Sequence, residues 1–294
     1  MAVLSIQSHV VFGYAGNTAA VFPLQRLGRE VWAINTVEFS NHTGYGAWKG
    51  KVLGAELACE LVCGLEERGV LGRAEAVLSG YLGDAAVAQA IKDAVKKVRA
   101  ENPNALYCCD PVMGDIGRGF YVKPDIPDIF KNELVPLADI ICPNQFELEA
   151  LTGLDTSSAE GALKAVNILH EKGPSVVLVT SFKENKDEPG SPELSMLASD
   201  KKNIYKITTP ELPLGNGVAG TGDMTSAVFL SRYLETRNLE KTLELCTASV
   251  FGVLEASFKA APSQKNGCPL ELKIIDAQSE LAAPSHSFKA EKIK

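Results

Sequence analysis

A glycine-rich turn that leads into an apolar segment carries one carboxylate, in the sequence Gly220-Thr221-Gly222-Asp223. Residues from Met224 to Tyr233 have apolar side chains at helical spacing, so the turn would lie at a helix N-terminus. Free backbone N–H groups and the positive end of the helix dipole would then face an anion such as a phosphate. Asp223 could accept the proton of a hydroxyl that attacks this phosphate. We interpret the turn as the catalytic centre, with an ordinary helix N-cap as the alternative.

Two further motifs carry carboxylates that suit a hard cation. Asp110-Pro111-Val112-Met113-Gly114-Asp115 places two aspartates at the end of a predicted buried strand. Asn144-Gln145-Phe146-Glu147 places an amide and an acid three residues apart at a predicted helix start. Carboxylates of this kind bind Mg²⁺ or the phosphates that it bridges. Turn formation by the aspartates and helix capping by Asn144 and Glu147 explain the same residues, and both alternatives stay open at this stage.

Strand and helix patterns alternate along the chain, which indicates an α/β protein with a mostly parallel sheet and right-handed crossovers. The predicted strands are 2–6, 31–35, 76–79, 105–109, 139–142 and 176–180, followed by an antiparallel pair at 194–198 and 204–208. The predicted helices are 17–27, 55–68, 84–100, 145–151, 158–172, 223–235 and 239–258. Ligands of open α/β sheets bind beyond the carboxyl ends of the strands. We therefore expect the glycine-rich turn to share one crevice with residues that follow predicted strands, namely Ser8, Tyr81, Asp110, Asn144 and Thr180.

The chain shows no linker, repeat or low-complexity tract that would divide it, so we expect residues 1–294 to form a single domain. The segment from about 36 to 50 is rich in Thr, Asn, His, Tyr and Gly without helical spacing, which predicts exposed short strands or a flap. Residues 183–192 are polar and lack periodicity, which predicts a mobile loop.

The composition argues against several classes of function. The 294 residues carry 36 acidic and 29 basic side chains, a net charge of −7, and no cluster of Lys and Arg fit for nucleic acid beyond a short C-terminal tail. Apolar runs fall short of the ~20 residues that a membrane span requires. Seven cysteines follow no metal-binding spacing and leave one unpaired in any disulfide scheme. We therefore expect reduced thiols in a cytoplasmic protein.

Three more segments complete the pattern, at Ser5–Asn17, Asn41-His42-Thr43 and Ser79-Gly80-Tyr81. Together with the three motifs above, they resemble the pyridoxal kinases of the ribokinase superfamily over nearly the whole chain. The opening segment is especially similar to the bacterial pyridoxal kinase type. The Gly220–Asp223 motif is shared with many sugar and nucleoside kinases, whereas the opening segment and Asn41-His42-Thr43 point to a vitamin B6 substrate.

The resemblance implies a ribokinase-like three-layer α/β/α sandwich, whose mostly parallel sheet carries a small flap, and an ATP- and Mg²⁺-dependent kinase that phosphorylates pyridoxal. It implies that Asp223 is the catalytic base and that the amides of Gly220, Thr221 and Gly222 form the anion hole. The implied substrate-binding residues are Ser8, Thr43, Gly44, Tyr81 and Asp223. The implied ATP-binding residues are Asp110, Asp115, Cys142, Asn144, Glu147, Thr180, Ser181, Thr208, Thr209, Pro210 and Glu211, of which Asp110 and Glu147 would hold the metal. The resemblance also implies that the segment 113–122 closes over ATP.

The same resemblance suggests a homodimer and a monovalent cation, K⁺, near ATP. The expected partners are therefore ATP and pyridoxal, with no nucleic acid and no membrane. The alternatives are a hydroxymethylpyrimidine kinase of the same fold, whose substrate is also a flat nitrogen ring with a hydroxymethyl arm, and a non-catalytic B6-binding or carrier protein. A carrier would need neither carboxylates that bind a metal nor a carboxylate that acts as a catalytic base.

Two of the candidate side chains carry expectations of their own. Asp223 at a helix N-terminus should have its ionised form favoured, which would make it a weak base. Tyr81 could pack in the core and use its hydroxyl for one buried partner instead of contacting the substrate.

Overall fold

The computed structural model describes residues 2–184, 193–214, 218–261 and 269–294. From position 185 onward, the predicted mobile loop at 183–192 lies outside the described residues. The strands are β1 (Ala2–Phe12), β2 (Glu30–Asn41), β3 (Gly50–Val52), β4 (Ala74–Ser79), β5 (Leu106–Cys109), β6 (Gly114–Asp115), β7 (Gly119–Phe120), β8 (Ile140–Ile141), β9 (Val176–Phe182), β10 (Glu193–Ser199), β11 (Ile204–Pro210) and β12 (Glu291–Lys292). The helices are α1 (Asn17–Arg26), α2 (Gly54–Glu67), α3 (Val87–Glu101), α4 (Ile126–Ile129), α5 (Gln145–Thr152), α6 (Ala159–Lys172), α7 (Thr221–Thr236), α8 (Leu239–Ala260) and α9 (Gln278–Ala282).

One sheet of ten strands runs through the described part of the chain, in the order β12-β11-β10-β9-β8-β5-β4-β1-β2-β3. The strands from β2 to β9 in this order pair in parallel, while β10 is antiparallel to both β9 and β11. Because β11 therefore runs in the same direction as β9, the carboxyl ends of β1, β4, β5, β8, β9 and β11 meet at one edge. The expected mostly parallel sheet is confirmed.

Helices cover both faces of the sheet and complete the predicted three-layer sandwich. On one face, α2, α3, α5 and α6 pack over a core that includes Val77, Tyr107 and Val179. On the other face, α1, α7, α8 and α9 pack over a core that includes Val3, Leu78 and Phe229. The central strands β4 and β5 read as nearly continuous apolar runs, since both of their faces are buried.

The first two strands extend further than their sequence predicts. β1 continues past Ile6 to Phe12, and β2 continues to Asn41, although their outer residues are polar or exposed. The pairing of β1 with β4 ends at Ile6 and Ser79, so beyond that point β1 pairs only with β2. The two strands thus project from the sheet edge, where β3 adds to β2. The predicted exposed short strands after position 36 correspond to this projection.

The bounds of α3 also differ from their prediction. The helix begins at Val87, with Ala86 as its N-cap, instead of at Asp84. The Asp84 carboxylate accepts the Ala86 N–H at 3.0 Å, so it caps the turn that precedes the helix. An aspartate signals a nearby helix start, but the turn geometry decides which residue begins the helix. Among the described residues, no helix is long and apolar enough to cross a membrane.

Candidate active site

Helix α7 begins at the glycine-rich turn, as its sequence predicts. Gly220 is the N-cap and has a left-handed φ of 81°. Its backbone approaches the preceding loop so closely that a Cβ atom there would lie 2.4 Å from the Tyr14 carbonyl oxygen. The first helical hydrogen bond runs from Met224 N–H to the Gly220 carbonyl at 2.9 Å. The amides of the first turn therefore have no partner within the helix, which suits an anion.

Within this turn, Thr221 is oriented by Val218. Its hydroxyl donates to the Val218 carbonyl at 2.8 Å, and its N–H points to the same oxygen at 3.4 Å. The Thr221 amide is thus partly engaged in the turn. The predicted anion hole then depends mainly on the amides of Gly220 and Gly222.

The Asp223 carboxylate is held by a backbone amide from the other end of the chain. Gly16 N–H donates to Asp223 Oδ2 at 2.8 Å across 207 positions. Gly16 has φ 58° and ψ −130°, and a Cβ atom there would lie 2.1 Å from the Ser8 carbonyl oxygen and 2.2 Å from Ser8 Oγ. Only glycine fits this position. The arrangement places Ser8, Gly16 and Asp223 side by side.

Ser8 itself lies at an irregularity in the sheet. The register of β1 and β2 shifts between Gln7 and His9, so Ser8 interrupts the regular ladder. Such irregularities re-aim side chains near functional sites. The first turn of α1 is fixed beside it, because Ser5 Oγ donates to Asn17 Oδ1 at 2.7 Å and Asn17 Nδ2 donates to the Ile34 carbonyl at 3.0 Å.

Four carboxyl groups lie near the carboxyl ends of β5 and β8 and the first turn of α7. They belong to Asp110, Asp115, Glu147 and Asp223. Burial raises the pKa of Asp110 well above its ordinary value, and the charges of Asp223 and Asp115 raise it further. Burial and then the Asp110 charge likewise raise the pKa of Glu147, while the backbone amides of Asn144 and Met113 oppose the shift. Partial burial, followed by all four carboxylate charges, raises the pKa of Tyr121. The crevice is therefore strongly electronegative.

The expectation that Asp223 is a weak base was wrong in direction. Burial raises its pKa above the ordinary value, and the Gly16 amide lowers it by a smaller amount. The helix N-terminus favours the ionised form, but the side chain lies too far from water for that effect to prevail. A raised pKa makes Asp223 a better proton acceptor.

The Asn144–Glu147 motif forms the capping box that its spacing predicts. Asn144 Oδ1 accepts the Glu147 N–H at 2.9 Å, and Glu147 Oε2 accepts the Asn144 N–H at 2.9 Å. The other carboxylate oxygen of Glu147 accepts the Met113 N–H at 2.9 Å. Asn144 Nδ2 donates to the Gly114 carbonyl at 2.8 Å and to Asp115 Oδ1 at 3.1 Å. The motif thus caps α5 and also fixes the β6–β7 hairpin over the carboxylates.

The arrangement fits a divalent cation. Asp110 is 4% exposed, and its Oδ2 is one of the buried polar atoms without a hydrogen-bond partner. A Cβ atom at Gly222 would lie 3.9 Å from this oxygen, so it faces the turn. No group of three or more His, Cys, Asp or Glu side chains that could hold a metal occurs among the described residues. Two carboxylates would suffice for Mg²⁺, because this ion keeps waters and binds substrate phosphates.

The remaining candidate ATP residues lie at the ends of β8, β9 and β11. Thr180 is mostly buried and Ser181 is exposed at the end of β9. Thr208 Oγ1 contacts Ser195 Oγ at 2.9 Å, and Thr209 Oγ1 donates to the Leu194 carbonyl at 3.3 Å. Beyond Pro210, the Glu211 carboxylate accepts Lys183 Nζ at 2.6 and 2.7 Å. The side chain of Cys142 faces the core, with its Sγ 3.8 Å from Cys108 Sγ, so an ATP contact there would involve its backbone.

The candidate acceptor residues surround the other end of the crevice. Tyr81 is half-buried and not fully in the core, and its carbonyl accepts the Thr36 hydroxyl at 2.7 Å. Burial raises the pKa of its phenol. Thr43 and Gly44 are exposed in a short 3₁₀ turn, Thr43–Tyr45, at the tip of the projecting strands. The structure thus places the projection next to the Tyr81 backbone.

Several residues of this region were missed by the sequence analysis. Gly16 had a detectable signal, since a glycine directly before a predicted helix indicates special backbone geometry. Glu271 had none. Its carboxylate contacts Tyr14, His42 and Tyr45, which are more than 200 positions away along the chain.

Comparisons with known proteins agree with this geometry. Residues 72–267 match the family described as phosphomethylpyrimidine kinase. A pyridoxal kinase PdxY of Rubrobacter xylanophilus is 48% identical over 99% of this chain and 97% of its own length. The corresponding protein of Deinococcus radiodurans is 44% identical over 99% and 96%. The chain belongs to the pyridoxal kinase family. A solved pyridoxal kinase of Leishmania donovani in complex with ADP and pyridoxamine superposes with a TM-score of 0.91 at 29% identity, over 99% of both chains.

The burial of the Asp110 carboxylate, together with the charges of Asp223 and Asp115, predicts that Asp110→Asn stabilises the ligand-free pyridoxal kinase fold. Because the pKa of Asp110 is raised, ionising this group costs more free energy in the folded than in the unfolded protein. The free energy of unfolding therefore falls as the pH rises above the ordinary aspartate pKa of ~3.9. The midpoint of thermal unfolding should rise by about 2–4 °C for each kcal/mol of relieved repulsion. The gain should be larger at pH 8 than at pH 5. Calorimetry against Asp128→Asn, which alters an exposed aspartate, checks this, and a lower midpoint for Asp110→Asn would contradict it.

Proposed function

We propose that this protein transfers the γ-phosphoryl group of ATP to the 5′-hydroxymethyl group of pyridoxal, giving pyridoxal 5′-phosphate in vitamin B6 salvage. The observation that carries the proposal is the half-buried Asp223 carboxylate in the first turn of α7, held by Gly16 N–H at 2.8 Å. Full-length similarity to pyridoxal kinases supports the choice of substrate. Pyridoxine and pyridoxamine carry the same hydroxymethyl group and belong to the proposed substrate class.

In the proposed reaction, Asp223 orients the substrate hydroxyl and accepts its proton as the oxygen attacks phosphorus. Gly16 N–H holds Oδ2, and we propose that the other carboxylate oxygen accepts the substrate hydroxyl. The amides of the α7 turn stabilise charge that develops on the transferring group. Phosphoryl transfer depends mainly on positioning and charge neutralisation, so these groups supply the required chemistry.

Asp110 and Glu147 would hold Mg²⁺, which supplies positive charge to the ATP phosphates when bound. The unpartnered Asp110 Oδ2 supports this role. Glu147 is bound to two backbone amides, so we expect it to act on the ion through water or by its charge. Asn144 and Asp115 hold the β6–β7 hairpin, whose segment 113–122 we propose to cover ATP. Thr180, Ser181 and the residues from Thr208 to Glu211 would lie against the nucleotide.

The proposal also includes features that the family resemblance suggests. Residues 1–294 form one kinase domain in which the segment from about 36 to 50 acts as a flap, with Ser8, Thr43, Gly44 and Tyr81 contacting the pyridine ring. The kinase is a homodimer that uses K⁺ with Mg²⁺. It works in the cytoplasm, where ATP is available and the cysteines stay reduced; the described cysteines are all free thiols. Sedimentation tests whether the protein is a homodimer. Assays with K⁺ replaced by Na⁺ test whether it uses K⁺.

The match to the phosphomethylpyrimidine kinase family favours a second candidate function, phosphorylation of hydroxymethylpyrimidine. ADP formation should be measured with pyridoxal, with hydroxymethylpyrimidine, and without an acceptor. We expect pyridoxal to give by far the highest kcat/KM. A higher value for hydroxymethylpyrimidine would reverse the assignment, and saturable pyridoxal binding without any turnover would favour a carrier.

Asp223→Asn should lower kcat by roughly 10² to 10⁴, because the amide is close to the same size but cannot accept the proton. The KM for ATP should change little. In the unmodified enzyme, kcat/KM for pyridoxal should fall as the pH drops through the raised pKa of Asp223, above the ordinary carboxyl range. Steady-state assays from pH 5 to 8 check both effects. A variant with full turnover would exclude Asp223 as the base.

Gly16→Ala should lower kcat by about 10²-fold, since its Cβ would push the backbone away from Ser8 and displace the amide that holds Asp223. Gly28→Ala is the matched control, because Gly28 follows the other end of α1, also has a left-handed φ of 80°, and has no atom within 4 Å of an added Cβ. Both variants place an alanine at a positive φ. Similar losses of kcat in the two variants would show that strain alone, and not contact with Asp223, is responsible.

A further inference from the structure

A carboxylate outside the predicted site connects three segments that surround the acceptor end of the crevice. Glu271 Oε2 accepts the Tyr14 N–H at 3.0 Å. Its other oxygen, Oε1, accepts the Tyr45 hydroxyl at 2.8 Å and lies 3.2 Å from His42 Nε2. The Glu271 side chain is 14% exposed. A nearly buried carboxylate with three partners is strongly oriented, since hydrogen bonds to charged groups are the strong ones.

Each partner of Glu271 belongs to a segment that positions candidate site residues. Tyr14 lies in the loop between β1 and α1, two residues before Gly16 and in contact with Gly220. His42 and Tyr45 flank Thr43 and Gly44 in the tip of the flap. These two rings also pack together, with centroids 4.7 Å apart.

The close packing around Glu271 leaves little freedom on the loop side. Gly13 has a φ of 84°, and a Cβ atom there would lie 2.5 Å from Glu271 Oε1. On the flap side, Phe12 packs edge-on against Tyr45 with centroids 5.9 Å apart. A cavity of about 720 Å³ beside this contact is lined by Phe12, Tyr14, Tyr45 and Glu271, among others. The described contacts therefore fasten the flap tip chiefly through Glu271 and these rings.

We infer that Glu271 is a positioning residue, whose carboxylate fastens the flap tip to the β1–α1 loop and thereby sets the place of Thr43 and Gly44 over the acceptor. This inference rests on the proposed pyridoxal kinase activity for its kinetic consequence, but the fastening itself does not. Glu271 would not contact the substrate. Its loss would lower the affinity for pyridoxal. The affinity for ATP would change little, because the candidate nucleotide residues at β9 and β11 lie at the other end of the sheet edge.

Glu271→Ala tests the inference by kinetics. We expect the KM for pyridoxal to rise about tenfold, because bonds to a charged acceptor are lost at both the loop and the flap. The KM for ATP should stay within about twofold, since a local change at the acceptor side spares distant, independent contacts. Glu271→Gln should recover much of the pyridoxal affinity, because its carbonyl oxygen can still accept the Tyr14 N–H and the Tyr45 hydroxyl can accept from its amide.

Limited trypsin digestion supplies a second readout that does not depend on activity. Lys49 and Lys51 are exposed where the flap returns to the sheet, so a released flap should be cut there about tenfold faster. Tyr45→Phe removes one bond to Glu271 while keeping the ring, and should change both readouts in the same direction by a smaller amount. Glu255→Ala is the matched control, since Glu255 also binds a histidine, His286, at 3.2 Å but lies away from the flap.

The outcomes separate the two proposals. Wild-type protein that turns over pyridoxal, together with unchanged pyridoxal KM and unchanged cleavage in folded Glu271→Ala, would overturn the role of Glu271. Wild-type protein without pyridoxal turnover would overturn the proposed function, while faster flap cleavage in Glu271→Ala would still support the fastening. Should Glu271→Ala not fold, Tyr45→Phe carries the test with the same two measurements.

Discussion

The burial of several carboxyl groups in one crevice is the constraint on which the rest of the site depends. Asp110, Asp115, Glu147 and Asp223 come from three segments of the chain, and burial raises the pKa of each of them. Collecting such groups is costly in the free protein and is justified where a bound ion offsets the cost. The Asp110 Oδ2 atom has no hydrogen-bond partner, which adds to this cost. The sandwich must therefore be stable enough elsewhere to hold an unfavourable crevice open.

Backbone geometry then determines how Asp223 is used. Gly16 and Gly220 both have left-handed φ values, and each allows a contact that a Cβ atom would block. Gly220 brings α7 against the Tyr14 carbonyl, and Gly16 brings its amide to the Asp223 carboxylate. The two glycines join the first and the seventh helices at Asp223. Conformational freedom at these positions is thus a requirement of the site and not of the fold in general.

Much of the fold could be predicted because its signals are local. Alternating apolar strands and amphipathic helices indicated the parallel sheet, and the rule that ligands bind at carboxyl ends of strands placed Asp110, Asn144 and Thr180 at the same edge. The capping box at Asn144 and Glu147 was also visible in three-residue spacing. The extension of β1 to Phe12 was missed because this part of the strand pairs only with β2 and ends in exposed residues. Local patterns likewise could not show that burial outweighs the helix dipole at Asp223, because burial depends on all the layers.

Contacts between distant parts of the chain were beyond such patterns, and Glu271 shows why they matter. Tyr14, the flap tip and Glu271 meet only after the C-terminal segment has returned to the beginning of the sheet. Nothing in the residues near Glu271 encodes its partners, since they come from the β1–α1 loop and the flap tip, both more than 200 positions away. Because these contacts join residues more than 200 positions apart, the arrangement around Tyr14 and the flap tip requires nearly the whole chain to be folded. The candidate nucleotide residues at β8 to β11 depend on contacts that are much closer in sequence, so the two parts of the candidate site differ in the sequence separation of the contacts that form them.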